Sequence, residues 1–165
     1  MFRTIVVGTD GSDTAFGAVV AAAELAALVG EGATLHIVSV VKPAPVSAIA
    51  AGEIAAAAPA GADLEWQDTA RDDLESRLAG IRDRLAAPGV AIETHVRTGN
   101  PAEVLCELGG HLVADLIVVG NRGMQGGRRF LGSVPNTVSH HAPCSVLIVD
   151  TVDAGHHHDH ADSGD

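Results

Sequence analysis

Thr4-Ile5-Val6-Val7-Gly8-Thr9-Asp10-Gly11-Ser12-Asp13 is the stretch that decides the architecture of this chain. Its first half is a short, nearly continuous apolar run, as expected of a strand buried on both faces. Its second half is a turn cluster in which Ser12 or Asp13 is placed to cap a helix. That helix is predicted over Thr14–Val29 and stops at Gly30, an ordinary C-terminal signal. A doubly buried strand that feeds a helix through a short polar turn is the opening unit of a parallel α/β layer.

The rest of the chain repeats the unit. A second strand is predicted over Ala33–Val40. Lys42–Asp63 is an Ala/Pro/Gly-rich stretch without clear periodicity, either a loop or the seat of a short Ala helix, Ile49–Ala58. From Leu64 to Ala87 the spacing of Leu74, Leu78, Ile81 and Leu85 gives a helical stripe, ended by Pro88-Gly89. Val90–Arg97 alternates as a third strand. Asn100 as cap and Pro101 at the first helical position start a helix that reaches about Leu112. Asp115–Val119 is a fourth strand, Ser133–His141 a short helix and Cys144–Val149 a last strand. Strands alternating with helices imply right-handed crossovers and a Rossmann-like, doubly wound α/β layer. The expectation is a five-stranded parallel sheet of order 3-2-1-4-5, flanked by helices on both faces. One domain is expected over residues 1–150, with 151–165 a disordered His/Asp-rich tail.

Composition narrows the function classes. The chain has 165 residues, enough for a self-supporting core, and a net charge of −11 that would repel a nucleic-acid backbone. The longest apolar runs are strand-length, so no membrane partner is expected. Met1-Phe2-Arg3-Thr4 runs straight into a strand pattern, and Cys106 and Cys144 match neither a metal motif nor a disulfide framework. These features point to the cytoplasm. From Leu116 to Val149 there is no Asp or Glu, yet Arg122, Arg128 and Arg129 are present. An acid-free basic stretch in an acidic protein suggests a docking place for a small anion.

In open sheets of this kind ligands bind beyond the carboxyl ends of the strands, where the order reverses. Here the reversal falls between the first and fourth strands, which end in Gly8-Thr9-Asp10-Gly11-Ser12 and Gly120-Asn121-Arg122-Gly123. The latter continues through Gly126, Gly127 and Gly132, which allow close approach of the backbone to a ligand and convergence of N–H groups on one anion. Ser133 follows at a helix start, where free amides and the dipole favour phosphate. Gly127–Gly132 has a P-loop's glycine spacing, but Ser133 replaces the required lysine, and no GxGxxG follows the first strand. A Walker-type ATPase and a dinucleotide enzyme are both disfavoured.

Together, TIVVGTDGS at the start, GNPAEVL before the third helix, the GNRG…GS segment and HAPCSVLIV at the end resemble the universal stress protein family, from Phe2 to Val149. The resemblance implies the five-stranded sheet, a homodimer joined through the last strand (Cys144–Val149), and bound ATP, AMP or cyclic AMP, with Mg²⁺ accompanying ATP. It implies that Asp10 lies near the ribose and adenine with Gly8 and Thr9 beside it, and that Ile37 and Val119 flank the adenine ring. Gly120, Gly123, Gly132, Ser133 and Val134 match the ribose and phosphate contacts. Eight residues separate Gly123 from Gly132, one fewer than the family's usual nine; Arg128 and Arg129, with Arg122, are at hand to compensate.

The function implied is an adenine-nucleotide-binding stress-response regulator with little or no catalysis. No Ser/His/Asp triad, paired carboxylates or metal-ligand motif stands out in the core. Two alternatives stay open: an enzyme of the adenine-nucleotide α-hydrolase type, such as a slow ATPase or nucleotidyl transferase, and an interaction module with an empty site. Cys106 and Cys144 read as packed small hydrophobes, and His36 and His95 as strand residues without an obvious partner. His156-His157-His158-Asp159-His160 reads as a weak, adventitious metal binder.

Overall fold

Runs of Val, Ile and Leu form the strands, and the turn chemistry between them sets the helices. In chain order the elements are β1 (Thr4–Gly8), α1 (Asp13–Val29), β2 (Ala33–Val41), α2 (Ala62–Arg84), β3 (Val90–Thr98), α3 (Pro101–His111), β4 (Leu116–Gly120), α4 (Ser133–His141) and β5 (Ser145–Val149). The computed structural model describes residues 1–42, 62–85, 89–121 and 132–151, without the side chains of 62–67. The short Ala helix expected at 49–58 and the His-rich cluster at 156–160 therefore lie outside the described residues.

All strand pairs are parallel and the order is β3-β2-β1-β4-β5, as expected. The caps behave as read. Ser12 accepts a hydrogen bond from the Ala15 amide, Gly30 ends α1 at φ 76°, and Asn100 accepts one from the Ala102 amide. Several boundaries shift. Helix α2 stops at Arg84 rather than Ala87, because the Leu85 N–H is shared between the Ile81 and Arg82 carbonyls, a tightened last turn. Strand β4 starts at Leu116, and just before it the Asp115 carboxylate accepts from the amides of Arg3 and Thr4 at 2.8 and 2.9 Å. Those two bonds hold the Asp115 carboxyl below the usual aspartate value.

The folded unit also extends past the expected boundary at 150. Thr151 is buried, and both its N–H and its hydroxyl donate to Asn121 Oδ1 at 3.1 Å. A residue with two such bonds and its methyl beside Gly17 belongs to the domain rather than to a tail.

Each face of the sheet carries its own core. On one, Ile5, Val7, Leu35, Ile37 and Val118 pack against Ala18, Val19, Ala22 and Ala26 of α1 and Leu78 of α2. Leu74, Ile81 and Leu85 flank this cluster, so the predicted stripe does face inward. The Arg84 guanidinium lies 4.8 Å from the Phe16 ring centroid and ties α2 to α1. On the other face Val6, Val38, Ile117 and Val119 pack against Ala102 and Leu105 of α3 and Val138 of α4. Gly109 permits that contact, since a Cβ there would stand 2.8 Å from Ile117 Cδ1.

Candidate functional site

The switch point is where the strand ends predict it. Val7 of β1 pairs with Ile37 on one side and Val118 on the other, so Gly8 and Thr9 run out beside Val119 and Gly120. Asn121, just past β4, fastens this end together. Its N–H donates to the Val149 carbonyl, its Nδ2 to Asp150, and its own carbonyl accepts from the Gly132 amide at 3.2 Å. The two ends of the glycine segment are therefore pinned to one residue. Nothing in the local pattern announced Asn121, because its partners come from two other parts of the chain.

Beyond the carboxyl ends lies a cavity of about 350 Å³. Lys42 lines it from the end of β2, Gly99–Ala102 from the β3–α3 turn, and Ser133, Val134 and Thr137 from α4. Two helix N-termini thus meet one concave space. At α3 the Asn100 side chain already satisfies an amide. At α4 the cap is Gly132 with no side-chain hydrogen bond and no acid in the first turn. The amides at that end, the positive dipole end of α4 and the Lys42 ammonium favour an anion in the same space. Among the described lining residues none is a carboxylate, an imidazole or a thiol. The oxygens offered by the described lining side chains are those of Asn100, Ser133 and Thr137.

The remaining expected residues are placed as follows. Thr9 is buried; its N–H donates to the Val38 carbonyl and its Oγ1 accepts from Gly11. Asp10 is exposed and its Oδ1 accepts from both the amide and the hydroxyl of Ser12. The bare Cα of Gly8 has a packing cause, because a Cβ there would stand 2.8 Å from Leu105 Cδ1. Ile37 differs from its expected place. It is 0% exposed and points into the α1–α2 core, so as it stands it offers no surface to a ligand. Val40 is half-buried on the opposite face and nearer the strand end. Val119 is 3% exposed in the α3–α4 core. Arg122, Gly123, Arg128 and Arg129 lie outside the described residues. Lys42 and Asn100 were missed as lining residues: one sat at the edge of an aperiodic stretch, the other read as a cap.

Burial raises the thiol pKa values of Cys106 and Cys144, which keeps both protonated at neutral pH, in line with packed small hydrophobes. His36 and His95 do find partners. Strand pairing sets Glu93 beside His36 and His95 beside Val38, and all three polar side chains meet on the α3 face of β2 and β3.

A parallel sheet of order 3-2-1-4-5 with a cavity against two helix N-termini beyond its carboxyl edge defines a doubly wound domain; of the expected site residues Ser133 and Val134 line that cavity, while those at the ends of β1 and β4 are not among its lining. The glycine segment and the strand sequences make the class narrower. The chain belongs to the universal stress protein family, whose family model matches residues 1–150. It is 37% identical over 152 residues to Universal stress protein Rv1636 of Mycobacterium tuberculosis, covering 91% of this chain and 97% of that one. A solved universal stress protein in complex with cAMP is 34% identical, with a TM-score of 0.66 over 91% of this chain and 98% of the other. UspA from Lactobacillus plantarum shares the fold at 23% identity and a TM-score of 0.72, over 90% of this chain and 97% of its own. No helix among the described residues is long and apolar enough to cross a membrane.

Proposed function

We propose that this chain is a stress-response regulator that binds an adenine nucleotide at its switch point, works in the cytoplasm and binds its ligand without turning it over. The observation that carries the reading is the cavity shared by Lys42, the uncapped start of α4 and the β3–α3 turn. Lys42 and the amides around Ser133 and Val134 supply positive potential for phosphate. Thr9, Asp10 and Gly120, at the ends of β1 and β4, border the nucleoside. The relative solved with cAMP favours a monophosphate ligand. A cyclic or simple monophosphate also needs no Mg²⁺, which suits a cavity whose described lining has no carboxylate.

The proposal includes a homodimer through β5. This strand lies at the sheet edge, and Val146, Leu147, Ile148 and Val149 all keep some exposure there.

Titration calorimetry of nucleotide-stripped protein with cyclic AMP, AMP and ATP tests the reading. One site per chain, preference for adenine over guanine nucleotides, and no pyrophosphate or ADP released on long incubation are expected. No heat with any adenine nucleotide would overturn it in favour of an interaction module, and turnover would replace it with an enzyme. Sedimentation that finds a monomer at tens of micromolar would remove the dimer.

A further inference from the structure

His36, Glu93 and His95 come from two neighbouring strands and lie apart from the switch-point cavity. His36 Nδ1 stands 3.1 Å from His95 Nε2 and 3.4 Å from Glu93 Oε2, and His95 Nε2 is 3.9 Å from that same oxygen. One proton cannot serve this triangle. If His36 donates to His95, the carboxylate faces a nitrogen that has already spent its hydrogen. If His36 donates to Glu93, the His95 Nε2 lone pair is left without that hydrogen.

A dication placed among the three atoms satisfies them together. Ligands of a tetrahedral Zn²⁺ at about 2.0–2.1 Å are about 3.3 Å from one another. The observed separations of 3.1, 3.4 and 3.9 Å bracket that edge, so a shift of a few tenths of an ångström would close the site. Two imidazoles and one carboxylate suit zinc and its neighbours in the first transition row. The histidines are largely buried while Glu93 is exposed, which leaves the fourth position facing water. Burial lowers the pKa of both imidazoles, so the neutral, ligating form is the one present at neutral pH. The Arg97 cation lowers that of His95 further, whereas Glu93 raises both.

We infer that His36, Glu93 and His95 form a binding site for a zinc-class divalent metal on the β2–β3 flank of the sheet, with an open coordination position. The site is separate from nucleotide binding and would stand if that reading failed.

The test uses the full chain with His156, His157, His158 and His160 changed to Gln, so that the tail contributes no imidazoles. After chelator treatment and dialysis, Zn²⁺ alone is titrated by calorimetry and Co²⁺ alone by visible absorption. One Zn²⁺ per chain and the intense bands of tetrahedral Co²⁺ are expected. His95→Gln and Glu93→Gln are expected to weaken Zn²⁺ binding at least tenfold while the far-ultraviolet dichroism is unchanged. Zn²⁺ should raise the Tm of the parent protein and leave that of His95→Gln unmoved. Should His36→Gln fail to fold, the two β3 variants decide alone. Absence of stoichiometric Zn²⁺ in the parent, or equal affinity in His95→Gln, would overturn the site.

Discussion

The two faces of the sheet are covered by helices of very different length. Helices α1 and α2 have 17 and 23 residues, about 26 and 35 Å at 1.5 Å per residue. Helices α3 and α4 have 11 and 9, about 17 and 14 Å. The long pair packs on Ile5, Leu35, Ile37 and Val118, each 0% exposed. The short pair packs on Val6, Val38, Ile117 and Val119. Two polar features sit on the side of the shorter helices: the cavity at the carboxyl edge, and the His36–Glu93–His95 triangle on β2 and β3. The lesson is that a layered fold makes room for chemistry by shortening a cover, without weakening the sheet beneath.

The largest expected difference between the faces is in stability. Ile37→Ala, on the closed side, is expected to cost about 3 kcal/mol, because an enclosed cavity is left behind. Val40→Ala, half-buried on the other side, is expected to cost about 1 kcal/mol. Urea denaturation of the two variants measures both, and equal losses would abolish the distinction. Next comes Lys42→Ala, which touches only the thin face's cavity. A loss of about tenfold in nucleotide affinity (about 1.4 kcal/mol) is expected in calorimetry, with the denaturation midpoint nearly unmoved. A fall in stability with unchanged affinity would make Lys42 part of the scaffold.

A smaller effect is expected at Val113, between α3 and β4. It is 81% exposed and holds φ at 51°, a region where a β-branched side chain is strained. Val113→Asn is expected to raise stability by about 0.5–1 kcal/mol. The smallest test concerns pH. The Asp115 pKa is lowered from 3.8 by the Thr4 and Arg3 amides, so its stabilising effect is complete above that value. It is lost as the pH falls through the lowered one. Asp115→Asn should therefore be less stable than the parent at neutral pH, and the gap should close as the medium is taken below pH 3.8.

Much of the scaffold was legible because it is local. The TIVVG run, the Ser12 and Asn100 caps and the Gly30 stop each act within a turn or two of their own position. The meeting of β1 and β4 was legible too, because the expected order was a common one for doubly wound sheets and the chain adopts it. Long-range polar contacts were not. His36 and His95 are 59 residues apart, and only the β2–β3 register brings them together. The direction of Ile37 was missed because a strand buried on both faces is apolar at every position, so hydrophobicity cannot say which side a residue faces.

The Asn121 fastening has a further meaning for how this family can vary. The carbonyl of Asn121 is joined to the amide of Gly132, so the two residues that flank positions 122–131 are held together. Changing the length of a segment whose ends are held in this way alters only a logarithm: even doubling it costs about 0.6 kcal/mol. A loop one residue shorter than the family habit is thus nearly free as far as folding is concerned.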